Sequence, residues 1–397
     1  MTTTRGFSFR LGLILLLAAL SLSLSASASG KDREWLENWQ KKNKHWRAMH
    51  FTNLDVPGLK KCITDVLAPR GFNVLVLEVD YRFQFKSHPE LADPRGLSRE
   101  QVRELVELSH KHGIRVIPLF NCVAHQSQGN EGATLPLLRV YPQFDETPGI
   151  PQDNKGIYCR EWCPLHPEVN KVVFALMDEL IDAFDADAFH VGMDEIFLVG
   201  FPPVDGKPWK LHAPVDFVPP AGYQQCPRCK GKSQGVLLAK AINDFHGHLV
   251  GQRQVEMLMW GDRLIDGTVM YDGVCSSSLT GSHIAVDMIP KDIIQCDWHY
   301  GFKTDYPTVR YFQQKGFRVL PGTWCDAPSA RALMDCAQKD ATDKMLGMSF
   351  TGWSVRPSEL RAEFTQKDAK ASDITKGVAA AIRACLGESE PASKPKP

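Results

Sequence analysis

Three times along the chain a helical pattern ends on a glycine and runs straight into β-branched and aliphatic residues. The unit reads Arg70-Gly71-Phe72-Asn73-Val74-Leu75-Val76-Leu77, then His112-Gly113-Ile114-Arg115-Val116-Ile117-Pro118-Leu119, then Lys315-Gly316-Phe317-Arg318-Val319-Leu320. Glycine suits the left-handed residue that closes a helix, and a strand that is apolar without alternation implies burial on both faces. Strands alternating with helices in this way build a parallel sheet. Eight stretches qualify as strands: Arg47–Thr52, Asn73–Asp80, Arg115–Phe120, Ala188–Met193, Glu256–Trp260, Asp292–Cys296, Arg318–Pro321 and Leu346–Phe350. The clearest helices between them are Ser98–His112, Pro167–Phe184, Gln234–Arg253 and Ala327–Lys339. Eight strand–helix units closing on themselves predict an α/β fold, a (β/α)₈ TIM barrel in a single domain. An open doubly wound sheet is the alternative, but no Gly-x-Gly-x-x-Gly follows any strand, so a dinucleotide site has no support.

The amino terminus reads as a targeting segment. Arg5 and Arg10 precede an apolar run from Leu11 to Leu24, and Ala26-Ser27-Ala28 offers a small-residue cleavage site. Residues 1–28 are therefore expected to be removed, leaving a secreted or periplasmic protein. No later segment approaches 18 unbroken apolar residues, so stable membrane insertion is not expected. Residues 29–387 would form the catalytic barrel, opening with a short lead-in helix over Lys31–His45, and 388–397 a disordered tail. Lys plus Arg and Asp plus Glu both number 46, a balance that argues against a nucleic-acid partner or an anionic membrane surface. Eleven cysteines would meet an oxidising compartment, and an odd count leaves one unpaired. Cys226-Pro227-Arg228-Cys229, followed by Lys230-Gly231-Lys232, has the form of a metal knuckle, and Cys159 and Cys163 could complete a four-thiolate structural zinc site. A disulfide between the two loops and free thiols are the other readings open here. Beyond such a structural zinc, no cofactor is expected to be required.

In a barrel of this kind the residues at the carboxyl ends of the strands share one mouth, where chemistry is built. Those ends carry Arg47, Asp80-Tyr81-Arg82, Asn121 with His125, Asp194-Glu195, Trp260 with Asp262, Asp297-Trp298-His299-Tyr300, Trp324 with Asp326, and Trp353. Tryptophans at four successive ends, interleaved with carboxylates and arginine, suit a pyranose, whose apolar C–H faces stack on rings while its hydroxyls take paired hydrogen bonds. Two long excursions, about 124–164 and 200–233, follow the third and fourth strands and are placed to build or cover such a site.

His190-Val191-Gly192-Met193-Asp194-Glu195 resembles the His-x-Gly-x-Asp-Glu signature of family 20 glycoside hydrolases, the β-N-acetylhexosaminidases. The resemblance extends over most of the chain. Trp46-Arg47-Ala48-Met49 is similar to the family's first strand, whose arginine holds sugar hydroxyls; Val116 through His125 to its third, which ends in a site histidine; Trp353-Ser354 to its eighth. Asp326 falls where the family has a hydroxyl-binding aspartate. The resemblance implies an oligosaccharide or glycoconjugate substrate and substrate-assisted, retaining catalysis, an exception to the usual pair of separated carboxylates. Glu195 would move the proton, and Asp194 would orient the 2-acetamido group. Asp80, Trp260, Trp298, Tyr300, Trp324 and Trp353 would line the pocket with Arg47, His125 and Asp326. The sequence departs from the family at four places. Asn121 replaces an aspartate, Val123-Ala124-His125 replaces Pro-Gly-His, Trp324 stands where the acetamido-binding tyrosine falls, and Val355 replaces an acid. Tyr300 could supply the missing hydroxyl. Two other classes compete: a sugar-binding barrel without turnover, and a metal-dependent hydrolase using His190, Asp194 and Glu195.

Overall fold

The computed structural model describes residues 29–127, 134–149, 159–200, 209–212, 215–217, 226–273, 275–366 and 369–388. The expected signal segment lies outside them, as does the expected tail beyond Glu388. Glu388 itself pairs with Arg70 at 3.2 Å. The chain forms two compact units, divided between Lys44 and His45. The first carries the helix Ser29–Lys42, where the sequence predicts one over Lys31–His45.

Among the described residues the second unit has ten strands: β1 (Trp46–Phe51), β2 (Val74–Glu78), β3 (Arg115–Cys122), β4 (Ala188–Gly192), β5 (Trp209–His212), β6 (Val215–Phe217), β7 (Glu256–Trp260), β8 (Ile294–Trp298), β9 (Val319–Thr323) and β10 (Gly347–Gly352). All but β5 and β6 form a closed parallel barrel in the order β1-β2-β3-β4-β7-β8-β9-β10, and β10 pairs back onto β1. This is the expected (β/α)₈ barrel, with each of the eight foreseen strands present. The seam is tight at Gly347, where a Cβ would fall 2.1 Å from the Trp46 carbonyl oxygen and φ is 135°. Only glycine fits such a crossing.

Alternation along the strands divides the core into two layers. Met49 and Phe51, Leu75 and Leu77, Phe189 and Val191, Met257 and Met259, Met348 and Phe350 point outward and pack with the helices in one large apolar cluster. The opposite parity faces the barrel interior. Its lower part is apolar, with Val76, Ile117, Ala188, Leu258 and Leu320 buried. Toward the strand ends it turns polar and aromatic, through His50, Glu78, Asn121, His190, Trp260 and Thr351, all buried. A closed interior is costly for such groups unless they are paired, so this layer already marks the functional end.

Most strand and helix bounds fall within one or two residues of those read from the sequence, and two of the differences bear on side-chain placement. The sixth strand lies two residues later than Asp292–Cys296, because Asp292 turns out to pair with His246 at 2.9 Å. Asp297, by contrast, stays within the strand, accepting from Thr308 Oγ1 at 2.7 Å. The helix from Gln234 ends at His246 and continues as a π-helical turn over Gly247–Gln252. Among the described residues no helix is long and apolar enough to cross a membrane.

Candidate active site

The end of β4 presents two consecutive carboxylates to one space, which an extended strand cannot do. The backbone solves this by leaving the β region. Gly192, Met193 and Glu195 have φ of 66°, 75° and 52°. A Cβ on Gly192 would lie 2.5 Å from Asn121 Oδ1, so glycine is required both by conformation and by the neighbouring strand end. Four more non-glycine residues just past barrel strands share the left-handed region: Asp80 (47°), Val123 (68°), His125 (56°) and Ser354 (59°). Each such residue costs on the order of 1–3 kcal/mol, and strain of this kind collects where the surroundings fix a functional geometry. Gly192→Ala is therefore expected to destabilise the protein by roughly 2–5 kcal/mol, adding left-handed strain to overpacking against Asn121. A denaturation midpoint unchanged from wild type would contradict this account of the turn.

Asp194 and Glu195 are 7% and 8% exposed. His125 Nε2 lies 3.1 Å from Asp194 Oδ2 and 3.6 Å from Glu195 Oε2. Burial pushes the Asp194 carboxyl up, but the His125 charge and hydrogen bond outweigh it, and the group is held below the usual carboxylate range. Burial likewise works against charge on His125, yet the Cys159 sulfur and the Asp194 carboxylate raise it well above an ordinary histidine. The other Asp194 oxygen, Oδ1, is buried with no hydrogen-bond partner. A buried charged acceptor left open is expensive, so it is a position waiting for a donor.

Glu195 is fixed from behind. Its backbone N–H donates to Asp262 Oδ2 at 3.0 Å, and the same oxygen takes Arg263 Nε at 2.7 Å. Burial, together with Asp194 nearby, lifts Asp262 to about 6 against the opposing pull of Arg263. The Cys275 thiol touches the Glu195 side chain. Across the mouth, Asp80 Oδ1 accepts the Asn121 N–H at 2.8 Å and Oδ2 the Asn121 carboxamide at 3.2 Å. Burial and then the Glu78 carboxylate raise Asp80 to about 7. Asn121 thus serves as a donor to Asp80, a role the aspartate found at this place in the family could fill only when protonated.

The tryptophans form one wall. Trp298 lies 4.9 Å from Tyr300 and Tyr300 5.5 Å from Trp324, centroid to centroid. Trp353 Nε1 donates to the Tyr300 hydroxyl at 2.7 Å, and Trp260 stands 6.2 Å from Trp353. A cleft of about 640 Å³ opens over the ends of β2 and β3, lined by Glu78, Asp80, Arg82, His125, Asp194 and Trp353 among others; of the aromatic wall only Trp353 reaches it, and Glu195, Trp260, Trp298, Tyr300 and Trp324 are not among its lining residues.

Four residues named from the sequence, Arg47, Asp326, Cys159 and His190, lie elsewhere than expected. Arg47 is at the start of β1, not its end; its guanidinium donates to the Arg70 carbonyl and lines a separate cavity with Gly71, Asn73 and Gly347. Arg82 is the arginine at the mouth, with Nη2 on the Glu78 carbonyl at 2.6 Å. Asp326 is exposed and caps the helix Ala327–Lys339, accepting Ser329 N–H at 2.8 Å. Its place before Ala-Pro-Ser is a helix-start signal in its own right. Cys159 takes the His125 N–H at 3.0 Å and is not among the clustered thiols; Glu146 joins Cys163, Cys226 and Cys229 instead. His190 does not reach the acids, since its Nδ1 accepts Gly192 N–H at 3.0 Å and its ring packs 4.7 Å from Trp260. The role of Asp262 was the main omission of the sequence reading, for its contact is with a backbone N–H that no side-chain pattern announces.

Comparison with known proteins agrees with this architecture. The sequence model of the glycosyl hydrolase family 20 catalytic domain matches residues 50–376. Among solved structures, a Flavobacterium johnsoniae chitobiase superposes with a TM-score of 0.51 at 14% identity, covering 86% of this chain and 50% of its own. A β-N-acetylhexosaminidase from Bacteroides fragilis gives 0.53 at 16% identity, covering 85% and 65%. A catalytic module of the pneumococcal exo-β-D-N-acetylglucosaminidase gives 0.51 at 12%, covering 87% and 85%. At these identities the structural likeness is one of fold, and the chain spans half of the first relative and under two thirds of the second. No curated protein matches the chain.

Proposed function

Because the chain belongs to glycosyl hydrolase family 20, we propose that it is a glycosidase that removes β-linked N-acetylhexosamine, with Glu195 as acid and base and Asp194 holding the 2-acetamido group. The observation that carries this reading is the asymmetry of Asp194. One carboxylate oxygen is held by His125, while the other is buried without a partner in a residue that lines the cleft. An amide N–H of the substrate satisfies it, and the negative charge then aligns the acetamido group and offsets the positive charge it develops.

In the first step the acetamido oxygen attacks the anomeric carbon, and the glycosidic oxygen leaves with the Glu195 proton. In the second, Glu195 takes a proton from water as it attacks the same carbon, and the oxazolinium ring opens to restore the acetamido group. Trp353, Trp260 and Trp298 supply the apolar walls. The Tyr300 hydroxyl, close enough to feel the charges of both acids, supports the acetamido oxygen in place of the family's tyrosine. Arg82, rather than Arg47, meets sugar hydroxyls. Export is part of the same reading and rests on residues 1–28 of the sequence.

A divalent cation on His125, Asp194 and Glu195, whose ligand atoms lie within 4.8 Å of one another, is the competing reading. The two differ in what the substrate must carry. Aryl β-N-acetylglucosaminide and galactosaminide would be compared with the aryl β-glucoside, which lacks the acetamido nucleophile. Hydrolysis confined to the N-acetylated substrates is expected. Equal turnover of the plain glucoside would sink the substrate-assisted mechanism and favour water activated by a metal.

A further inference from the structure

The two excursions that follow β3 and β4 meet at a buried cluster the proposed reaction does not use. Glu146 and Cys163 come from the first excursion, Cys226 and Cys229 from the second, and one ligand atom from each lies within 4.8 Å of all the others. Cys163 Sγ is 3.5 Å from Cys229 Sγ and 3.4 Å from Cys226 Sγ, and Cys229 Sγ is 3.2 Å from Glu146 Oε2. A disulfide would bring two sulfurs to about 2.05 Å. Four ligands at tetrahedral corners around zinc, with Zn–S of about 2.3 Å, sit roughly 3.5–3.8 Å apart. The observed separations are close to that second geometry and far from the first.

The local backbone has the form of a metal knuckle. Lys230 N–H donates to the Cys226 carbonyl and Lys232 N–H to that of Cys229, both at 3.0 Å, and Gly231 takes φ 76°. The N–H groups of Arg228 and Cys229 point at the Cys226 sulfur. Backbone donors of this kind stabilise a thiolate, the form in which cysteine binds metal.

We propose that Glu146, Cys163, Cys226 and Cys229 bind one structural zinc ion, and that the ion fastens both excursions against the loop that carries the catalytic pair. Three thiolates select a soft or borderline cation, and four protein ligands leave no open position for substrate or water. The fastening can be followed bond by bond. Glu146 Oε1 accepts Gly200 N–H at 2.9 Å, and Glu161 accepts those of Phe197, Leu198 and Val199 at 2.5, 2.8 and 2.6 Å. Glu146 N–H donates to the Glu161 carbonyl at 3.0 Å, and Cys163 N–H to that of Phe144 at 2.7 Å. The strip bearing two of the ligands therefore grips Phe197 to Gly200, four of the five residues after Glu195. One residue before Glu161 the same strip also holds the third-strand loop, through Gln126 N–H on the Arg160 carbonyl at 2.9 Å. Closing such long loops is an entropic cost that a metal clip reduces.

The metal site stands without the glycosidase reading, so it is tested on the full-length protein by metal content and spectroscopy, not by turnover. Elemental analysis should find one zinc per chain, and X-ray absorption at the zinc edge three sulfurs and one oxygen. Cobalt(II) substitution should give thiolate-to-metal charge-transfer bands. Cys229→Ser and Glu146→Gln should lower zinc retention and the melting temperature, whereas Cys159→Ser should keep the full zinc complement. Zinc-free protein with Cys226 or Cys229 in a disulfide would overturn the proposal, as would zinc lost from Cys159→Ser but kept by Glu146→Gln. Should the cluster variants fail to fold, the wild-type metal content and absorption spectrum decide the question alone.

Discussion

Glu195→Gln should lower kcat/KM on an aryl β-N-acetylglucosaminide by roughly 10²–10⁴, the range for loss of a positioned general acid and base, or about 3–5 kcal/mol of transition-state stabilisation. The loss should grow as the leaving group becomes more basic, because a poor leaving group depends most on a proton delivered in the transition state. The substitution leaves the local fold in place. The Asp262 contact is with the Glu195 backbone N–H, and the side chain is replaced by one of the same shape. The melting temperature should therefore stay close to that of the wild type. Rates within a few-fold of wild type for both good and poor leaving groups would remove Glu195 from the proton transfer.

Most of the barrel was legible because its signal is local and repeated. A helix, a closing glycine and a doubly buried strand each write a short pattern, and the seam, the outer apolar layer and the inner layer follow from alternation. The acids at β4 were legible for the same reason, as the point where an apolar strand meets polar residues. What the sequence hid depends on which backbone segment lies opposite. Arg47 and Arg82 both flank strands, but Arg47 opens its strand, as the bounds Arg47–Thr52 already imply and the pairing of Trp46 with Gly347 shows. Cys159 and Cys163 are equally plausible partners for Cys226 and Cys229 by spacing. The antiparallel bridge between Asp145 and Trp162 brings Glu146 to the thiols, and Cys159 is taken up by His125. Asp326 could be read as a ligand-binding acid or as a helix cap, and its hydrogen bond to Ser329 shows the cap.

These corrections share a direction. Each moves a charged group out of the pocket or replaces it with a neighbour, and what remains at the mouth is a layer of partly satisfied polar atoms. His50 Nδ1, His190 Nε2, Asp194 Oδ1, Trp260 Nε1 and Trp324 Nε1 are each buried without a hydrogen-bond partner. Such groups cluster where ligand or water is to complete them. Left-handed residues border the same region, after β2, β3, β4 and β10. Strain and unmet hydrogen bonding thus coincide at one end of the barrel, whereas at the other end the charged groups Arg115, Asp187, Glu256 and Arg318 pair with one another.

Asp194→Asn should reduce kcat on the same substrate by about 10²–10³, the cost of losing one preorganised electrostatic contact to developing charge. Binding should suffer less, since the tryptophan wall and the hydroxyl contacts persist. The pair with His125 gives this variant a second signature. The Asp194 pKa is lowered and the His125 pKa raised in the folded protein, so their attraction adds stability above the unfolded Asp value and below the unfolded His value. That stability is lost as pH falls through the Asp194 value or rises through that of His125. The melting-temperature gap between wild type and Asp194→Asn should therefore be widest between those limits and narrow toward alkaline pH. A structural role alone would produce the same gap, so the decisive measurement is chemical. Fluorine on the acetamido methyl withdraws electrons from the carbonyl oxygen that attacks the anomeric carbon. Wild-type turnover should fall stepwise as fluorines are added, and Asp194→Asn should keep that dependence at a lower absolute rate, because the nucleophile belongs to the substrate and the carboxylate only aligns it. Rates indifferent to fluorination in the wild type would mean that the acetamido group does not attack, and Asp194 would then lose the role assigned to it.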